Sequence, residues 1–150
     1  MAQEKKFVLP KVDQIALICK NLDNTAAYLT SALGLEPFRI HERNNEVAVG
    51  GKKTTANRRL GVAQLGGIQL ELIQSLDPGT PYDKFITAKG EVLQHIRFAP
   101  VDNLDEIIAY LDTKGFKLAY SGGFKDMRFA YLESAQAKGL ILEFVQVGKS

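Results

Sequence analysis

Two spacings of apolar residues divide this chain. Dense, β-rich runs such as 12–19 (VDQIALIC), 92–100 (VLQHIRFAP), 127–133 (MRFAYLE) and 140–147 (LILEFVQV) read as strands. Leu22, Ala26, Leu29 and Leu33 instead recur at helical spacing, with Asn21 placed as N-cap and Gly34 as the stop. Leu104, Ile107, Ile108 and Leu111 repeat that stripe, led by an Asn103/Glu106 pair that resembles a capping box and ended by Gly115. A short strand is expected at 37–42 (PFRIHE). Residues 43–59 are polar and carry Gly50-Gly51, so they are read as a long hairpin or mobile loop leading into a strand at 60–65. Residues 116–120 (FKLAY) are expected as a short strand, with 121–126 (SGGFKD) as its turn. The breaker-rich 76–91 segment is expected to hold a turn or two of helix around Tyr82 to Ala88. Residues 1–10 read as a polar leader.

The pattern occurs twice. NLDNTAAYL (21–29) matches NLDEIIAYL (103–111) at six of nine positions, and IQLELIQ (68–74) matches LILEFVQ (140–146). The preceding strands align as well, DQIALI with QHIRFA. Each half reads strand, helix, strand, strand, strand, and the two should pack as a pseudo-symmetric pair. The register pairs Gln14 with His95, and Glu71 with Glu143. Strand alternation puts Glu143 on one face with Ile141 and Val145, and Glu71 with Gln69 and Ile73. A carboxylate on such a face needs a proton, a cation or a metal to offset its burial. Gln, Glu, His and Glu are all possible ligands, and a divalent ion would balance two carboxylates. A lone histidine on an apolar strand is more often a hydrogen-bonded core residue; the repeat is what raises His95 to a ligand candidate. Gln14, a neutral amide, is the weakest donor of the four.

Composition narrows the classes. The chain has 150 residues, 45% hydrophobic and 24% charged, as expected of a globular protein. A net charge of +2 lacks the basic footprint of a nucleic-acid binder. No apolar run reaches the ~20 residues of a membrane span, and the N-terminus lacks the apolar core of a secretory signal. Cys19 is the only cysteine and sits in an apolar run, which suits a reducing cytoplasm and a buried, unreactive thiol. Lys52, Lys53, Arg58 and Arg59 read as a solvated cluster that could meet a substrate phosphate or carboxylate. His41 is expected in solvent. Arg97 shares the His95 face by alternation and is the better candidate for an anionic substrate. Phe38, Phe129 and Tyr131 are expected in the core or cup wall.

With these pieces in place, the chain resembles the vicinal oxygen chelate superfamily over roughly residues 11–147. The matching stretches are VDQIALICKNLDNTAAYLTSALGLEPF, QLELIQSL, LQHIRFAPVDNLDEIIAYL and GLILEFVQ. The resemblance implies an α+β fold of paired βαβββ modules forming an open cup-shaped mixed sheet. A single domain would then comprise module one at 11–75, a linker at 76–91 and module two at 92–147. It implies a divalent metal (zinc, cobalt, nickel or manganese) held by Gln14, Glu71, His95 and Glu143, one ligand from the first and one from the fourth strand of each module. It also implies a homodimer.

The linker motif QLELIQSLDPGTPYDKF is most similar to methylmalonyl-CoA epimerase, whereas the ligand order Gln, Glu, His, Glu is that of zinc-type glyoxalase I. Both enzymes abstract a proton next to a carbonyl through a metal-stabilised enediolate, on an acyl-CoA or another α-carbonyl substrate. Glu143 and Glu71 are the catalytic candidates, with Glu143 the preferred base. A lactoylglutathione lyase and a non-catalytic binder of drugs or metabolites, like the bleomycin resistance proteins, are the alternatives.

Overall fold

The computed structural model describes residues 7–148, so most of the expected leader lies outside the described residues. β1 (Val12–Ile18), α1 (Leu22–Leu33), β2 (Arg39–Val49), β3 (Lys52–Leu65) and β4 (Ile68–Ser75) form the first half. A linker helix, α2 (Pro81–Lys89), leads to the second half: β5 (Leu93–Phe98), α3 (Leu104–Thr113), β6 (Lys117–Phe124), β7 (Met127–Glu133) and β8 (Ile141–Val147). Each half is therefore βαβββ. The eight strands run β1-β4-β3-β2-β6-β7-β8-β5 and back to β1. The expected cup is thus drawn shut: β2 meets β6 through Val47 opposite Gly122 and Ala48 opposite Ser121. The halves meet within one chain, across that seam and the antiparallel β1–β5 pair.

The barrel interior holds Ala16, Ile18, Leu60, Ile73, Tyr120, Phe129, Tyr131 and Val145, with Tyr82 of α2 packed among them. Outside the sheet, α1 packs Leu22 and Ala26 on Cys19 and Leu72, while α3 packs Leu104, Ile107 and Leu111 on Ala130, Leu132, Leu142 and Phe144. Cys19 is 4% exposed, and burial pushes its thiol pKa up. Among the described residues no helix is long and apolar enough to cross a membrane.

The repeated letters have a structural meaning. The backbone N–H of Leu22 donates to Oε1 of Gln74, and that of Leu104 donates to Oε1 of Gln146. Asp23 pairs with Arg59 of β3, and Asp105 with Arg128 of β7. Each NLD…Q pair is thus a docking device that pins a helix start to its sheet.

One pair of alternatives is decided and two expectations give way. Residues 43–59 are the long hairpin and not a mobile loop: β2 and β3 run on either side of a Gly50-Gly51 turn, paired from Arg39–Val62 to Val49–Lys52. Charged side chains on both faces erase the apolar alternation that marks a strand. The strand expected to end at Tyr120 runs on through Gly122 and Gly123, and the turn is at Lys125 and Asp126. A Cβ on Gly122 would lie 2.7 Å from the Phe129 ring and 2.9 Å from the Glu46 carbonyl oxygen, so this glycine serves close approach. Finally, Asn103 makes no side-chain cap bond; its amide donates to the Glu106 carboxylate at 3.5 Å instead.

Candidate functional site

The four residues paired by the repeat come from four strands that are neighbours around the barrel. Gln14 on β1 lies opposite Gln69 on β4 and Arg97 on β5. Ala16, one step along the same face, lies opposite Glu71 and His95. Arg97 lies opposite Glu143 on β8. Gln14, His95 and Glu143 are all buried, at 1%, 1% and 6% exposure.

Three of the four donors converge. His95 Nε2 is 2.8 Å from Glu143 Oε2 and 3.2 Å from Gln14 Oε1. The orientation of each partner is fixed from behind. Gln14 donates its Nε2–H to Gln69 Oε1 at 2.6 Å, which turns its amide oxygen toward His95. Gln94 donates to the Tyr120 hydroxyl at 2.7 Å, which turns its own oxygen toward His95 Nδ1. With Nδ1–H donating to that oxygen, Nε2 presents a lone pair, and so do both oxygens facing it. Three electron-pair donors gathered in a buried place repel one another unless a cation, either a proton or a metal, sits among them.

Glu71 makes no side-chain hydrogen bond to this trio among the described residues. No group of three His, Cys, Asp or Glu side chains stands at metal-holding distances there either. Glu71 is half-buried. Burial raises its pKa; His95 opposes the rise and the Glu143 charge adds to it. Two carboxylates, one imidazole and one amide oxygen form a donor set chemically suited to a divalent cation.

Around the site, Tyr131 meets the His95 ring edge to face, with centroids 5.0 Å apart. Arg97 donates from Nε to Asp13 at 2.9 Å, so its charge already has a partner. Burial works against the Arg97 cation, but the Asp13 bond and the nearby carboxylates outweigh it. Lys52 and Lys53 are exposed. Arg59 turns outward to Asp23, whereas Arg58 turns inward and is 3% exposed. His41 is exposed.

Gln94 escaped the sequence reading because the β1–β5 register slips between Ala16 and Leu17. The bulge puts Gln94 and His95 both inside, against simple alternation. The glutamine beside the candidate histidine was the only signal available.

No curated protein matches this chain. Its fold is similar to that of methylmalonyl-CoA epimerase from Mycobacterium tuberculosis, at 18% identity and a TM-score of 0.70, covering 98% of this chain and 94% of that one. A Streptomyces coelicolor methylmalonyl-CoA epimerase variant, solved in complex with 2-nitronate-propionyl-CoA, is similar at 20% identity and a TM-score of 0.68, covering 94% and 96%. A hypothetical protein from Bacillus halodurans is similar at 20% identity and a TM-score of 0.68, covering 93% and 96%. Residues 13–131 match the sequence profile of the Glyoxalase/Bleomycin resistance protein/Dioxygenase superfamily, and this chain belongs to that superfamily.

Proposed function

We propose that this chain is a divalent-metal-dependent enzyme that moves a proton next to a carbonyl, an epimerase or isomerase similar to methylmalonyl-CoA epimerase. The observation that carries the reading is the convergence of His95 Nε2, Glu143 Oε2 and Gln14 Oε1 within 3.2 Å, with a second carboxylate, Glu71, left unengaged. A divalent cation bound by Gln14, Glu71, His95 and Glu143 would polarise a substrate carbonyl or carboxylate oxygen.

The side chains divide the remaining work. Glu143 is held by His95 and is the less free of the two carboxylates. Glu71 is the better proton carrier: it takes the proton from the carbon next to the carbonyl and returns it to that carbon or its neighbour. Gln94 holds His95 by its Nδ1–H, and Gln69 holds the Gln14 amide. Tyr131 covers the imidazole and keeps water from that side. The likeness in fold to the acyl-CoA-bound neighbour favours a thioester substrate over a smaller α-carbonyl compound.

The test is solvent deuterium exchange into methylmalonyl-CoA, with the methylglyoxal–glutathione adduct run in parallel. Exchange into methylmalonyl-CoA is expected, to be abolished by Glu71→Gln and restored after chelation only by added divalent metal. Conversion of the glutathione adduct instead would assign the lactoylglutathione lyase reading. Exchange into neither, with no metal in the purified protein, would leave a binder.

A further inference from the structure

Across the barrel from the His95 trio, the β2–β3 wall is cationic. Arg43 and Arg58 lie directly opposite each other in the register. Both turn inward, since Arg43 alternates with Val47 on β2 and Arg58 with Ala56 and Leu60 on β3, all three of them interior residues. Like charges facing each other across a strand pair repel. Among the described residues neither guanidinium has a carboxylate within ion-pair distance. Arg58 donates from Nη1 only to neutral oxygens, Asn45 Oδ1 at 2.8 Å and the Ala56 carbonyl at 3.2 Å. Its guanidinium lies 4.6 Å over the Tyr82 ring, and that of Arg43 lies 4.5 Å over the Phe124 ring.

Two buried groups against this wall make no well-formed hydrogen bond: Arg43 Nε and the Tyr82 hydroxyl, the latter with the Tyr131 hydroxyl near it. Tyr82 is 1% exposed and is delivered by α2, whose start is fixed by Pro81 and the Thr80 cap. Its ring meets Tyr120 and Tyr131 edge to face, which places it inside the barrel. Buried polar groups are normally satisfied, so a pair of orphan donors beside two uncompensated cations marks a place for an acceptor that carries negative charge. The Tyr131 ring meets both the Tyr82 ring and the His95 imidazole, so the wall faces the same interior as the site. Two unmet donors match the two oxygens of a carboxylate and leave none for the third oxygen of a phosphate.

We propose that Arg43, Arg58 and Tyr82 form a carboxylate-binding subsite that holds the acid end of the substrate across from Glu71 and the His95 trio. The two guanidiniums supply charge, and Arg43 Nε–H and the Tyr82 O–H supply the unmet donors. This deepens the proton-transfer reading by making the substrate an acid, and rests on that reading only for what happens after binding.

The experiment is therefore a binding measurement as well as a kinetic one. Malonate, inorganic phosphate and neutral malonamide are titrated by calorimetry into the full chain, its Glu71→Gln variant, Arg43→Gln and Tyr82→Phe. Malonate is expected to bind the wild type, and to bind Glu71→Gln at least as tightly, since that change removes a facing carboxylate. Arg43→Gln should weaken it at least tenfold, Tyr82→Phe severalfold, and malonamide should not bind. Tyr82→Phe keeps the ring, and its circular dichroism and melting curve establish that the fold is intact. Malonate affinity unchanged in both Arg43→Gln and Tyr82→Phe, or phosphate bound more tightly than malonate, would overturn the subsite. Malonate binding that obeys these expectations without any deuterium exchange would overturn the catalytic reading and leave the subsite standing. In an active enzyme, KM should rise with little change in kcat for Tyr82→Phe.

Discussion

At the scale of single residues, the site is held by amides. Gln94 joins His95 to Tyr120, and Gln69 joins Gln14 to the β4 strand. Replacing Gln94 by Leu removes the acceptor for His95 Nδ1–H and the donor to the Tyr120 hydroxyl, leaving two buried groups unpaired. A destabilisation of about 1–3 kcal/mol is expected in denaturant unfolding, together with a loss of about 10–100-fold in divalent-metal affinity. Unchanged metal affinity would mean that Gln94 serves packing alone. The same scale shows what the sequence could reveal. Gln14, His95, Glu71 and Glu143 were legible because an internal repeat kept them in register on apolar strands. Gln94 was not, since a bulge reverses its facing. Arg43 and Arg58 were hidden in a polar run whose interior face is itself charged, and no apolar period marks such a strand.

At the scale of elements, the repeat is a way of attaching helices. Asp23 and Asp105 each occupy the first turn of a helix and reach an arginine on the neighbouring sheet, Arg59 by two bonds of 2.7 and 3.0 Å and Arg128 by two of 2.8 and 3.4 Å. The hydrogen bond from arginine lowers both aspartate pKa values below their usual range. A carboxylate whose pKa is depressed on folding adds stability above its unfolded pKa and loses it as pH falls through the folded value. The Asp23→Asn/Asp105→Asn double variant should therefore melt below the wild type at pH 7. The two curves should converge as pH drops below about 4, the unperturbed aspartate value. Equal melting temperatures at neutral pH would show that these exposed pairs contribute nothing.

Gln74→Ala and Gln146→Ala should each cost about 1 kcal/mol, by leaving a helix-start amide unpaired. Similar costs are expected because the two bonds are equivalent. The helices themselves were readable from stripe and stop signals, and so was the linker helix. At Asn103 the side chain turns to the Glu106 carboxylate and not to the helix amides, a rotamer choice that local sequence does not disclose.

At the scale of the whole molecule, the barrel depends on how its two halves close. Gln14 and Glu71 come from the first half, His95 and Glu143 from the second, so any loosening between the halves separates the donors. The β1–β5 junction carries the site, while the opposite junction is thin: Val47–Gly122 and Ala48–Ser121 are its only register pairs among the described residues. A surface groove of about 550 Å³ runs beside it, lined by Val47, Gly122 and Phe129 together with Leu104 and Ile108 of α3. Gly122 lets β6 approach β2 because a side chain there would press on both the Phe129 ring and the Glu46 carbonyl. The carbonyl belongs to the backbone and cannot rotate away as a flexible side chain would. Gly122→Ala should therefore cost about 1–3 kcal/mol, as overpacking does. Its sharper signature is local: amide hydrogen exchange should rise at the β2–β6 seam, around Val47, Ala48 and Ser121, while β3 and β4 keep their protection. If the seam only closes the barrel, metal affinity at the His95 trio should survive the change. If closure also holds the two walls in register, malonate affinity should fall along with seam protection, since Arg43 lies on β2 and its partners on β3 and α2. Uniform exchange across all eight strands would refute a local role for Gly122 and make the barrel one cooperative unit.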